Sequence, residues 1–200
     1  MSYALSKEGT IIYVPGGSND DVRRVLNVDL SGQATDFFDL RKRFEFARYS
    51  PDGKYVGFVI VEQNHSNIWI YHIEGGALNQ LTFYQGRTVT NFVWSPDSKV
   101  ITYATTAEVF FKSIYLRKID GTGVAKKIYR SPLKTPLYVE DWSSDGSMLG
   151  FEQWDESTGG DLLVYSFRDS SAKPYLATPA TGRPACLSTG RTHRFAPTWG

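Results

Sequence analysis

Short runs of alternating apolar and polar residues recur along the chain, separated by polar clusters rich in glycine, serine and aspartate. One run, Tyr55–Val59, is followed after a polar stretch by a second, Asn67–Ile73. Alternation with a period of two is typical of half-buried β-strands, and the frequent Val, Ile, Tyr, Phe and Trp residues also favour strands. The pattern therefore predicts an all-β fold of short strands.

A four-residue turn recurs between these runs. Ser50-Pro51-Asp52-Gly53 returns as Ser95-Pro96-Asp97-Ser98 and as Ser143-Ser144-Asp145-Gly146, and Ser6-Lys7-Glu8-Gly9 is a weaker early copy. In a type I turn the first serine makes a local hydrogen bond, proline sets φ, aspartate tolerates the third position and glycine then takes a positive φ. We therefore expect the aspartate to brace its own turn rather than to bind a ligand.

Each repeat is predicted to contain four strands: an aromatic-bearing run before the turn, two β-rich runs after it, and a short closing strand such as Asn79–Phe83 or Lys126–Tyr129. The segment Ala34–Ala47 also has a spacing that suits a helix, but the repeat assigns it to a fourth strand, a polar loop and the next inner strand. The turn copies are 44, 45 and 48 residues apart, and four-stranded units with this spacing are typical of β-propeller blades.

The predicted fold is thus a β-propeller of four-stranded antiparallel blades, about four with a partial fifth. The blades are expected at residues 1–43, 44–86, 87–134 and 135–180, and residues 181–200 form an irregular tail or a partial inner strand of a fifth blade. Three arrangements remain open: a compact ring of few blades, an open segment completed by self-association through its blade edges, or a fragment of a longer protein.

Composition and charge narrow the classes of function. The net charge is +1 with both signs interspersed, so no basic surface for nucleic acid is predicted. Cys186 is the single cysteine, which excludes an intrachain disulfide and a cysteine-based zinc cluster. No apolar run is long enough to span a membrane, and the first residues show no signal peptide. The sequence leaves the location unknown and, as written, is that of a cytoplasmic chain.

The stretches Tyr49–Ile60 ("YSPDGKYVGFVI") and Ser66–Phe83 ("SNIWIYHIEGGALNQLTF") resemble the WD-like repeat of TolB-type β-propellers. Similar repeats occur in propeller modules of bacterial Ser/Thr kinases and in peptidase-associated propellers, and the resemblance extends from about Ser6 to about Thr178. It implies a propeller without implying a reaction. Relatives can be periplasmic and usually have six or more blades, which is more than this sequence encodes.

The sequence contains no recognisable catalytic motif, and no Gly-x-Ser-x-Gly nucleophile elbow is present. Glu62, Glu108 and Asp155 lie in equivalent predicted loops and could converge on a metal, but exposed loop charge is the more usual role of such residues. We therefore predict no catalytic residues, no metal site and no cofactor.

The remaining candidate is a binding surface. In a propeller, the loops joining the second and third strands share one face with the loops joining successive blades. The candidate contact residues on this face are aromatic or charged, and they are His65, Tyr84, Arg87, Phe110, Phe111, Arg130, Lys134, Trp154 and Glu156. Aromatic and arginine side chains are enriched at binding hot spots. The sequence thus favours a non-catalytic module that binds a protein or peptide; the alternatives are a small metal-dependent hydrolase and a truncated segment with a structural role only.

Overall fold

The computed structural model describes residues 2–6, 9–14, 22–106 and 112–176. Within these ranges the chain forms sixteen β-strands arranged in four antiparallel four-stranded sheets. The predicted all-β fold of four-stranded antiparallel units is confirmed. No helix in the described residues is long and apolar enough to cross a membrane. The predicted tail at residues 181–200, with Cys186, lies outside the described residues.

Each sheet is a meander in which every strand pairs with the strand next to it in sequence. Sheet 1 consists of β1 (Ser2–Leu5), β2 (Ile11–Val14), β3 (Leu26–Val28) and β4 (Ala34–Asp36). Sheet 2 consists of β5 (Arg43–Tyr49), β6 (Tyr55–Glu62), β7 (His65–His72) and β8 (Ala77–Gln80). Sheet 3 consists of β9 (Val89–Trp94), β10 (Val100–Thr106), β11 (Lys112–Lys118) and β12 (Lys126–Arg130). Sheet 4 consists of β13 (Leu137–Trp142), β14 (Met148–Asp155), β15 (Gly159–Ser166) and β16 (Ser171–Leu176).

The chain divides into two compact units, residues 1–88 with sheets 1 and 2 and residues 89–200 with sheets 3 and 4. The core of the first unit joins Ile12 and Val14 of sheet 1 to Phe44, Val56 and Phe58 of sheet 2. Phe44 and Phe58 meet edge to face with ring centroids 5.3 Å apart, a favourable aromatic geometry. Burial of this apolar surface is the main force that holds the two sheets together.

The second unit is built in the same way. Its core joins Val93, Ala104 and Ile114 of sheet 3 to Leu149 and Phe151 of sheet 4. The buried Asn91 of β9 adds a polar link. Its side-chain amide donates to the carbonyl of Val139 at 2.6 Å, and its carbonyl oxygen accepts from the amide of Val139 at 3.0 Å. One side chain thus satisfies both backbone groups of a residue in the neighbouring sheet.

The two faces of a sheet can be told apart by position relative to the turn. We call front the face that carries Val56 and Phe58 in sheet 2 and Leu149 and Phe151 in sheet 4, since both pairs begin six residues after the turn serine. In sheet 1 the Ser6 turn is one residue shorter, so the equivalent front position is Ile11, and Ile12 lies on the back. We call back the opposite face. In both units the front of the second sheet packs on the back of the first.

The repeated turns have the predicted geometry. Ser50 Oγ donates to Asp52 Oδ1 at 2.6 Å and accepts from the amide of Tyr55 at 3.0 Å, and the amide of Gly53 donates to the Ser50 carbonyl at 2.9 Å. The Ser95 and Ser143 turns repeat the serine-to-aspartate bond at 2.6 Å. The aspartate therefore braces its own turn, as predicted.

The predicted bounds of one closing strand are wrong. Asn79–Phe83 was expected to be a strand, but β8 ends at Gln80. The amides of Leu81 and Thr82 both donate to the single carbonyl of Ile68, at 2.8 and 3.3 Å, so the regular ladder cannot continue. By contrast, the segment Ala34–Ala47 contains β4, a connection and the start of β5, in agreement with the repeat.

Candidate functional site

The connection between β8 and β9, residues 81–88, is fixed to the start of β7 by side-chain and backbone hydrogen bonds. Asn67, which is 2% exposed, accepts from the Tyr84 amide at 2.7 Å and donates to the Tyr84 carbonyl at 3.2 Å. The Thr82 hydroxyl also donates to Asn67 at 3.0 Å, and the Ser66 amide donates to the Arg87 carbonyl at 3.0 Å. The backbone of this connection is therefore tied to β7 at Tyr84 and Arg87.

This fixed connection presents large side chains to solvent. Phe83 is 68% exposed, Arg87 is exposed and Tyr84 is half-buried. The sequence had indicated Tyr84 and Arg87 as binding residues but had placed Phe83 in a strand. Because β8 ends at Gln80, Phe83 lies instead in the connection, directly before Tyr84 and in the same segment as Arg87.

His65, another candidate contact residue, lies near Glu62 and Lys42. It is the first residue of β7 rather than a loop residue as predicted, and its Nε2 lies 3.8 Å from Glu62 Oε2. Lys42 Nζ lies 2.8 Å from the other carboxylate oxygen of Glu62. Glu62, proposed from the sequence as a conceivable metal ligand, is thus engaged with two basic side chains.

In the second unit, Trp154 is tied to the connection between β12 and β13. Its amide donates to the Pro136 carbonyl at 3.0 Å, and its carbonyl accepts from the Thr135 hydroxyl. Its side chain also forms a hydrogen bond with Glu152 that favours the ionised carboxylate, although burial has the larger effect and raises the pKa of Glu152. Sequence reasoning missed Glu152, because a single acid inside a β-rich run has no distinguishing pattern.

The β12–β13 connection is anchored by a second buried amide. Gln153 Oε1 accepts from the Tyr129 hydroxyl at 2.8 Å and from the Ser131 hydroxyl at 2.9 Å. Of the neighbouring candidate residues, Arg130 is the last residue of β12 and Lys134 lies within the connection, and both are exposed. The second unit therefore places Arg130, Lys134 and Trp154 on or beside one fixed connection.

Of the remaining candidates, Glu156 lies in the turn between β14 and β15, and the others lie outside the described residues. Glu156 is exposed in that turn, and Asp155 accepts from the amide of Ser157 at 2.8 Å and from its hydroxyl. The hydroxyl bond, followed by the amide bond, lowers the pKa of Asp155. Phe110 and Phe111, like Glu108, lie outside the described residues. Within the described part of the chain, no group of three or more His, Cys, Asp or Glu side chains could hold a metal ion.

Comparison by sequence finds no matching protein-family model and no matching curated protein. Comparison by structure finds TolB from Acinetobacter baumannii, with a TM-score of 0.69 and 18% identity over 88% of this chain. An oligogalacturonate lyase in complex with manganese matches with a TM-score of 0.64 and 18% identity over 88% of this chain. The β-propeller domain of the trilobed protease from Pyrococcus furiosus, described as having an open velcro topology, matches with a TM-score of 0.61 and 15% identity over 86% of this chain.

The chain spans only part of these structures, 43% of TolB, 52% of the lyase and 55% of the protease propeller. Two of the three are named for enzymes and TolB is not, and at this level of identity the likeness concerns the fold alone. The repeated four-stranded sheets, the recurring turn and these matches lead to one conclusion. The chain has the fold of a TolB-like β-propeller.

Proposed function

We propose that this propeller is a non-catalytic module that binds a protein or peptide, and that the β8–β9 connection is its principal contact. The observation that carries the proposal is Phe83, an aromatic side chain held 68% exposed on a fixed backbone. Phenylalanine is among the side chains enriched at protein interfaces relative to the rest of the surface.

The fixed backbone strengthens this proposal. Binding is weakened when loops must be ordered, so a preformed connection retains more of the contact energy. The hydrogen bonds from Asn67 and Ser66 supply that order before any partner arrives. Tyr84 and Arg87, which follow Phe83 in the same connection, add an aromatic ring with a hydroxyl and a cation. A connection of this composition suits an extended peptide with an apolar anchor and an acidic residue.

The metal-dependent hydrolase considered from the sequence has less support. Glu62 is engaged with Lys42 and His65, and Asp155 braces its own turn through Ser157. Carboxylates used in this way are poor candidates for shared ligands of one metal ion. The binding module therefore remains the better proposal for the described residues.

A peptide-display selection on the immobilised chain would test this proposal. Peptides enriched on the wild-type chain should bind the Phe83→Ala variant at least about tenfold more weakly in fluorescence anisotropy, because the anchor is lost. Arg87→Ala should weaken acidic peptides in particular. Val124→Ala is the matched control, since Val124 is 90% exposed in a hairpin of the other unit and should leave affinity unchanged. Equal affinity for Phe83→Ala and wild type, or failure to enrich any peptide, would contradict the proposal.

A further inference from the structure

A half-buried acid lies beside two aromatic residues on the back of sheet 4. Glu152 of β14 is the register partner of Tyr138 in β13, and Trp154 follows Glu152 two residues further along β14. Because paired residues share a face and side chains alternate along a strand, all three lie on the back. Each of them is half-buried. The register thus brings one carboxylate and two aromatic rings to one part of the surface.

Gly160 makes room for this carboxylate. It is the register partner of Trp154 in β15, and a Cβ at this residue would clash with Glu152 Oε1. The carboxylate therefore lies over the glycine backbone, in the space that a side chain would otherwise fill. Gly160 is exposed and Glu152 is only half-buried, so a ligand can reach the carboxylate from solvent.

The carboxylate has no counter-charge within the part of the chain that the structure describes. Burial raises the pKa of Glu152, and the weaker opposing effect comes from the Trp154 side chain, with no basic group contributing. Lys173 lies on the same face, as the register partner of Val164, but forms no ion pair with Glu152. A charge partly removed from water without a partner is costly, so a bound cation would offset that cost.

We propose that Glu152, Tyr138 and Trp154 bind the side chain of an arginine residue of a partner protein. A guanidinium group donates two parallel hydrogen bonds to a carboxylate and also stacks on aromatic rings, so it matches both parts of the site. A metal ion fits less well, since no group of three His, Cys, Asp or Glu side chains among the described residues could hold one. The site lies in the second unit and does not depend on the β8–β9 connection.

A small arginine derivative tests the proposal directly. Acetyl-arginine amide is titrated into the whole chain, and the indole N–H resonance of Trp154, identified by its loss in Trp154→Phe, is followed by NMR. The resonance should shift saturably, with a Kd in the millimolar range. Acetyl-citrulline amide has nearly the same shape without the charge and should bind at least about tenfold more weakly, because charge-assisted hydrogen bonds are the stronger ones. Equal affinities for the two probes, or no saturable shift with arginine, would overturn the proposal.

Substitutions then locate the binding site. Glu152→Gln keeps the size of the side chain and removes its charge, so it should weaken the arginine probe at least about tenfold. Gly160→Ala should weaken it too, because the added Cβ displaces the carboxylate. Asp169→Asn is the matched control: it removes an exposed acid beyond the other end of β15 and should leave the affinity unchanged.

The variants also separate this site from a general attraction of cations. Wild-type affinity in Glu152→Gln would overturn the proposal, and so would an equal loss in Asp169→Asn. If Glu152→Gln fails to fold, Gly160→Ala decides, since wild-type affinity in that variant would mean that the carboxylate over Gly160 does not hold the probe.

Discussion

At the scale of single residues, the repeated turn shows how one backbone requirement is met by different side chains. The fourth position has φ of +73° at Gly53, +60° at Ser98 and +72° at Gly146. Only glycine takes this region without a steric cost, so the serine copy holds a conformation that its side chain disfavours. The three copies of the turn therefore share their backbone geometry although their fourth residues differ.

Gly53→Ala should destabilise the protein by about 1 kcal/mol, the usual cost of left-handed backbone for a residue with a Cβ. No atom lies within 4 Å of the added Cβ, so no clash contributes. Urea unfolding measures the change. Gly53→Asn should cost less, because asparagine tolerates this region; equal losses for the two variants would show that the backbone conformation is not the cause.

The acid stability of the protein should depend on Asp145. The Ser143 hydroxyl, then the amide and hydroxyl of Ser147, lower its pKa from 3.8 to about 2. Since the unfolded chain binds a proton at higher pH than the folded chain, the contribution of Asp145 is complete above about pH 4 and is lost as pH falls towards about 2. Unfolding of Asp145→Asn should therefore show a smaller loss of stability across this range than wild type, and Ser143→Ala should shift the loss to higher pH. Identical pH profiles for wild type and Asp145→Asn would contradict the expectation.

At the scale of strands and connections, Asn67 is the residue on which the proposed contact depends. Asn67→Ala would leave the amide and carbonyl of Tyr84 and the hydroxyl of Thr82 without their shared partner. Because unsatisfied buried polar groups cost about 1–3 kcal/mol each, we expect a loss of about 2–4 kcal/mol in the free energy of unfolding.

The same substitution should loosen the connection locally. Hydrogen exchange at the Tyr84 amide should become faster in Asn67→Ala, whereas Asn79→Ala, at an exposed position of β8, should leave it unchanged. Unchanged exchange at Tyr84 in the first variant would mean that Asn67 does not hold the connection.

Strands were predictable where alternation was strong and turn chemistry was clear. β6, β10 and β14 follow the Ser-x-Asp turns and were identified from them. The end of β8 was not predictable, since "NQLTF" continues a strand-like composition while the double hydrogen bond to Ile68 ends the ladder. The bounds of β1 were not predicted either. Ser2–Leu5 precedes a turn that is one residue shorter than the others, with Ser6 Oγ accepting from the amide of Thr10.

At the scale of the whole molecule, the repeat was the strongest information in the sequence, because a period of 44–48 residues with four strands admits few folds. The functional surface was less predictable. Trp154 and Tyr84 were chosen from the sequence because they are aromatic residues in predicted loops. The hydrogen bonds that position them, between Trp154 and both Thr135 and Pro136 and between Tyr84 and Asn67, join segments that are distant in sequence, so no local pattern reveals them.

The meander order of every sheet also has a consequence for folding. Each strand pairs only with its neighbour in sequence, so a sheet forms through short loop closures, which are fast and entropically inexpensive. Longer closures occur where sheets of one unit meet, as between Asn91 and Val139, 48 residues apart. Folding of such an array is expected to nucleate within one repeat and to spread to the next, as in other repeat proteins. The rate should therefore depend on the repeat length more than on the number of repeats.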